Sequence, residues 1–194
     1  MNVKGERMNY SFDGLHRVLA AGLLLATLGA VRQAQAANPD AMQVSVTPNV
    51  TYAVTITSVN ASGYDFGTVA LNSTTQSTAA ITVSNSGNIG EYFSMAISNT
   101  SGNWAAVASA PTTDNFRMIG EFSASQPAVG TFNTSDALTN ATPGAAAALY
   151  GQASTKTAPA ATKNLWLRLE MPQGLNTGTS AAQTMTLTIT GQAS

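Results

Sequence analysis

The sequence predicts an all-β fold in which two antiparallel sheets of about eight or nine strands in total pack face to face. Three observations carry this. Apolar residues alternate with Thr and Ser at a period of two in run after run, which is the pattern of a half-buried strand. Clusters of Gly, Asn, Ser and Pro separate the runs and supply turn chemistry. No apolar stripe at helical spacing is sustained over the length of an ordinary helix. Two sheets that each bury one face make a core about 10 Å thick and leave the Thr-rich faces to water.

The chain of 194 residues opens on a segment of a different kind. Lys4, Arg7 and Arg17 precede Val18 to Val31, a charge-free apolar run of 14 residues, and Arg32 ends it before Ala34-Gln35-Ala36. A basic lead, a short apolar stretch and a small-x-small site are the parts of a secretory signal, and a membrane-crossing helix needs about 20 apolar residues. The expectation is a cleavable signal peptide over 1–36 and a single domain over 37–194, secreted to the periplasm or the outside, with no membrane span in the mature protein.

Strands are expected in order from there. Val50, Tyr52, Val54 and Ile56 alternate with Thr51, Ala53, Thr55 and Thr57. Ser77, Ala79, Ile81 and Val83 form the next stripe, and Asn85-Ser86-Gly87-Asn88 turns the chain into Phe93, Met95 and Ile97, a pair that reads as a hairpin. Phe116, Met118 and Phe122 mark another strand. Leu165, Leu167, Leu169 and Met171 against Trp166, Arg168 and Glu170 mark the clearest one, and Met185, Leu187 and Ile189 against threonines the last. Weaker strands are expected at Met42 to Val46, Tyr64 to Leu71 and Trp104 to Ala108. The stretch 123–163 breaks the rhythm with Ala, Thr, Pro and Ser, and is longer than a structureless loop inside a compact domain should be. It reads as an insertion over one end of the sandwich. Thr142 as N-cap, Pro143 at the first helical position and Gly151 past the end bracket one short helix over Gly144 to Tyr150.

Asp65-Phe66-Gly67-Thr68-Val69, then Asn72-Ser73-Thr74, then Ile81 to Asn88 resembles a pattern found in secreted bacterial immunoglobulin-like β-sandwich modules. There a Phe-Gly-x-Val strand is followed by a small polar turn, an alternating strand and an Asn-x-Gly turn. The resemblance covers about 25 residues and implies an immunoglobulin-like sandwich; the long insertion and two additional strands depart from a module of that size. Within the pattern Gly67 is expected to allow a bulge or close approach, and Gly87 a positive φ.

Composition excludes several chemistries. From Ala37 onward there is no His and no Cys, so no Ser/His/Asp triad, Cys/His dyad, Cys/His zinc site or disulfide can form. Four cations (Arg117, Lys156, Lys163, Arg168) against seven anions (Asp40, Asp65, Glu91, Asp114, Glu121, Asp136, Glu170) leave a net charge of −3, which is no footprint for nucleic acid. No cofactor is expected, and no metal, because Asp65 and Asp114-Asn115 lack the spacing of a calcium loop. The carboxylates offer no recognisable acid/base pair. Glu121 and Glu170 are expected on outward faces beside Arg117 and Arg168, as ordinary cross-strand ion pairs.

Candidate interaction residues are Trp166, Arg168 and Glu170, which share the face opposite the Leu stripe, with Tyr92 as a further aromatic. An outward Trp can stack on sugar rings, pack beneath the insertion or meet another subunit; covering it with protein is the commoner use. Trp104 is expected in the core. Strands that are long, Thr-rich and free of Lys guards expose edges fit for self-association. The first expectation is therefore a non-catalytic structural or surface protein, a subunit of a filament or layer assembled by edge pairing or strand exchange. The alternative is an adhesive module that binds a cell-surface polysaccharide.

Overall fold

The computed structural model describes residues 42–57, 63–99, 104–141, 149–152, 154–176 and 181–193. The expected signal peptide lies outside the described residues, as do Thr142, Pro143 and most of the expected helix. Two units divide the chain, Met1–Thr47 and Pro48–Ser194. In the first, residues 42–47 are exposed and belong to no strand, so the strand expected at Met42 to Val46 has no ladder. A period-two pattern specifies which side chains share a face; it does not supply a neighbour to pair with.

The second unit is all-β. Its strands among the described residues are β1 (Val54–Ile56), β2 (Thr74–Gln76), β3 (Ile81–Asn85), β4 (Tyr92–Asn99), β5 (Ala105–Ala106), β6 (Asn115–Phe122), β7 (Ala137–Leu138), β8 (Thr162–Glu170) and β9 (Met185–Gln192). The larger sheet runs β1-β3-β8-β6-β5, with β2 also paired to β8 and β7 to β6, and the smaller one is β4-β9. The sheets curve as a half-barrel. The arrangement is mixed rather than purely antiparallel, because Ala105 and Ala106 run parallel to Asn115 and Phe116. Two-residue β5 is only an edge bridge, so the return through 107–114 is long enough to set the chain running the same way again.

Alternation places the core. Phe93, Met95 and Ile97 of β4 meet Ile81 and Val83 of β3, Phe116, Met118 and Phe122 of β6, and Leu165, Leu167 and Leu169 of β8 in one buried cluster. Burying a side chain of this size is worth about 1.5–3 kcal/mol, so the cluster dominates stability. β3 and β4 are not a hairpin: β3 pairs with β1 and β8, β4 with β9. Asn85 redirects the chain from one sheet to the other. Its buried side-chain amide donates to the carbonyls of Ile89 and Thr157, at 2.8 and 2.7 Å, and its Oδ1 accepts from the Gly87 N–H at 2.8 Å.

Two further expectations give way. Residues 64–71 form no strand; the Asp65 side chain caps the Gly67 N–H at 2.7 Å in a turn, and Gly67 takes φ +68°. The described part of 123–163 is built into the domain. It carries a 3-10 turn at Thr134–Asp136 and the strand β7, and it buries Phe132, Leu138 and Tyr150. Leu149 and Tyr150, the described end of the expected helix, are in a bend and a turn.

Candidate functional site

The sequence-selected residues Trp166, Arg168 and Glu170 do share one face of β8, but that face is covered. β8 is the centre of the larger sheet, and residues of the insertion lie over its second side. Trp166 is 9% exposed, packed with Ile119 and Phe132, and its indole N–H donates to the Ser123 carbonyl at 3.1 Å. Glu170 is buried, not on an outward face, and gathers two guanidinium groups. Arg117 donates from Nε and Nη2 to its two oxygens at 2.9 and 2.8 Å, and Arg168 Nη2 lies 2.6 Å from Oε1. A bidentate pair with a second cation holds β6 and β8 in register; Arg117 and Glu170 are directly opposite. Tyr92 sits in the other sheet, its hydroxyl donating to the Ser154 carbonyl at 2.7 Å and its ring 5.5 Å from Lys156 Nζ.

Glu121, expected on an outward face beside Arg117 and Arg168, is brought beside Asp136, and both arginines pair with Glu170 instead. The Glu121 and Asp136 carboxyls are both pushed above their ordinary range by burial, and for Glu121 the neighbouring Asp136 charge adds to the rise. Asp136 Oδ2 accepts the Tyr150 N–H at 2.9 Å within the insertion, and the Tyr150 carbonyl accepts the Phe122 N–H at 2.7 Å, which ties the insertion to β6. Neither carboxyl lines the groove described next.

An apolar groove of about 860 Å³ opens between the two sheets. Ile81, Ile97, Met118, Leu167 and Leu169 form its floor; Ile56 of β1, the 63–71 turn segment and Met185 and Leu187 of β9 form its walls. Trp104, half-buried against the core cluster, borders it too. The apolar side chains of β9 are accordingly only half-buried, in contrast to the matching residues of β4.

Backbone pairing explains why the groove lies there. The edge of β4 away from β9 is occupied: Ile97 N–H donates to the Thr139 carbonyl at 2.9 Å, and Glu91 bridges with Thr157. The Gln152 side-chain amide acts there as a substitute peptide, accepting from Phe93 N–H and donating to its carbonyl, both at 2.8 Å. With Phe93 and Ile97 bonded outward, their partners Gly191 and Leu187 must also direct their peptide groups away from β4. Among the described residues no strand pairs with that edge of β9. At its Gly191 end the gap toward β1 is bridged by Glu91, whose carboxylate faces Gly191 and accepts from the Ala53 N–H at 3.3 Å. At the Met185 end it is open.

Sequence reasoning found the β9 stripe and the unguarded edges, but not the groove or the residues that seal the β4 edge. Gln152 lies in a stretch whose composition reads as spacer, and nothing in its neighbours signals that its amide replaces a strand. No protein-family model matches the chain, and no curated protein matches it with significant similarity.

Proposed function

We propose that this protein is a secreted, non-catalytic structural or surface protein, built on an immunoglobulin-like sandwich and assembling into an extracellular filament or layer. The observation that carries this reading is the open apolar groove beside the unpaired edge of β9. A sheet edge with half-buried Met185, Leu187 and Ile189 is incomplete in both hydrogen bonding and burial, and one added strand meets both needs. The low charge of the chain, with no Lys or Arg in β9, removes the usual guard against such pairing.

Carbohydrate binding through Trp166 has less support, since stacking on a sugar needs an open aromatic face and this ring is packed beneath the insertion. Electron microscopy and light scattering of the exported protein at increasing concentration test the assembly reading. Growth into filaments or sheets is expected; an unchanging monomer mass at high concentration overturns it.

A further inference from the structure

We propose that the groove receives residues 42–46 of a second copy of this chain, laid as an added strand along the free edge of β9. This rests on the assembly reading above and names its joint.

The occupant is identified by its pattern. Met42, Val44 and Val46 alternate with Gln43, Ser45 and Thr47, and the three apolar residues are 84%, 77% and 89% exposed without a ladder. A segment that is uncharged, strictly alternating and unpaired is the complement of an edge that is uncharged, alternating and unpaired. The lengths agree as well. Five extended residues span about 17 Å, and the inward stripe of β9 from Met185 to Ile189 is also five residues long. Added beside β9, residues 42–46 turn their apolar side chains onto the groove floor and their polar ones to the Thr face, because side chains of neighbouring strands share a face pair by pair.

The second copy follows from polarity. Residues 49–53 are fixed along the Asn85–Asn88 turn: Asn88 N–H donates to the Thr51 carbonyl, and Asn88 Oδ1 accepts from Thr51 N–H at 2.8 Å. The chain therefore enters the domain at the Asn85 end of β1, whereas the groove opens at the opposite end, beside Ile56, Leu169 and Met185. A chain entry at one end of the domain and a receiving edge at the other give a heterologous contact, which repeats head to tail into a filament instead of closing a dimer.

The test uses the full exported chain. Single Asp substitutions are made at 42 to 46 and assembly is followed by light scattering and microscopy. Met42→Asp, Val44→Asp and Val46→Asp are expected to abolish assembly, while Gln43→Asp and Ser45→Asp retain it, a period of two that only a strand in the groove produces. Because these side chains are exposed, the variants should fold as the parent does, which circular dichroism checks. The chain has no Cys, so Val44→Cys in one copy and Leu187→Cys in another should give a disulfide-linked heterodimer on mixing and mild oxidation. Assembly that survives Val44→Asp and Val46→Asp overturns the joint while leaving the assembly reading in place; a parent chain that never assembles removes that reading itself. A monomeric crosslink when both Cys are in one chain, or an apolar small molecule retained in the groove by native mass spectrometry, also overturns the joint.

Discussion

The methyl group missing from Gly191 makes room for Glu91: a Cβ built there would collide with the carboxylate. Glu91 is buried, and its carboxylate bridges toward the Ala53 N–H at the Gly191 end of the gap between β1 and β9. Gly191→Ala should therefore displace the carboxylate and cost about 1–3 kcal/mol in urea denaturation, the usual range for overpacking a full site. Two other glycines separate space from backbone conformation. At Gly87 an added Cβ would fall on the Thr51 carbonyl and crowd the Ala53 nitrogen, yet its φ lies outside the left-handed region. At Gly67 φ is +68° and nothing lies within 4 Å of an added Cβ. The turn pattern suggested the reverse, a positive φ for Gly87 and a close approach or bulge for Gly67. Gly67→Ala should cost about 1–2 kcal/mol, the left-handed penalty alone, and Gly87→Ala more, since the colliding atoms are backbone and have no rotamer to escape into.

Between elements, the register of β6 against β8 depends on a largely buried cluster of one carboxylate and two guanidinium groups. Glu170 neutralises Arg117 and Arg168 together, so Glu170→Ala would leave two largely buried guanidinium groups without their counter-ion. A loss of about 3–5 kcal/mol is expected from thermal or urea denaturation, as for a buried ion pair deprived of one partner. Trp166→Ala should fall in a similar range of about 3–5 kcal/mol through the cavity it opens beside Ile119 and Phe132. A variant that keeps its parent's stability would show that the insertion does not hold this face closed. These two sites also mark what was legible in the sequence. The alternation of Leu165, Leu167 and Leu169 with Trp166, Arg168 and Glu170 predicts a strand with two unlike faces, and β8 is that strand. It carries no information on whether the polar face meets water, because the cover comes from residues more than twenty positions earlier whose composition reads as spacer. The supposed β3–β4 hairpin fails for a related reason: a turn signal at Asn85–Asn88 specifies a change of direction, while the partner of each strand is chosen by packing across the whole domain. The groove was legible only in halves, as a stripe on β9 and a stripe at 42–46, since neither half says in sequence that it lacks a neighbour.

At the scale of the whole domain, three carboxyls among the described residues are held above their ordinary range, and in each the leading cause is burial. For Glu91 the Ala53 N–H only partly offsets it; for Asp136 the Tyr150 N–H does the same; for Glu121 the charge of Asp136 reinforces it. The folded state thus keeps protons that the unfolded chain releases near the ordinary values of 4.5 for Glu and 3.8 for Asp. With fewer protons bound to the unfolded state, stability falls as pH rises from those values through the raised folded ones, and is highest toward the acid side of the window. Melting temperature is therefore expected to be higher at about pH 5 than at about pH 8, the reverse of a domain whose carboxylates are stabilised by folding. Glu91→Gln and Asp136→Asn should each flatten the slope, and a melting temperature that drops steadily on acidification in the parent would contradict it. On the proposed assembly the same protonation would act by a separate route. Each of these carboxyls that takes up a proton reduces the net charge of −3 beyond Ala36, so self-repulsion between copies falls toward acid. Growth of the proposed filament across this range should then increase toward acid, and by less in Glu91→Gln, which has one carboxyl fewer to neutralise while Glu121 and Asp136 still titrate.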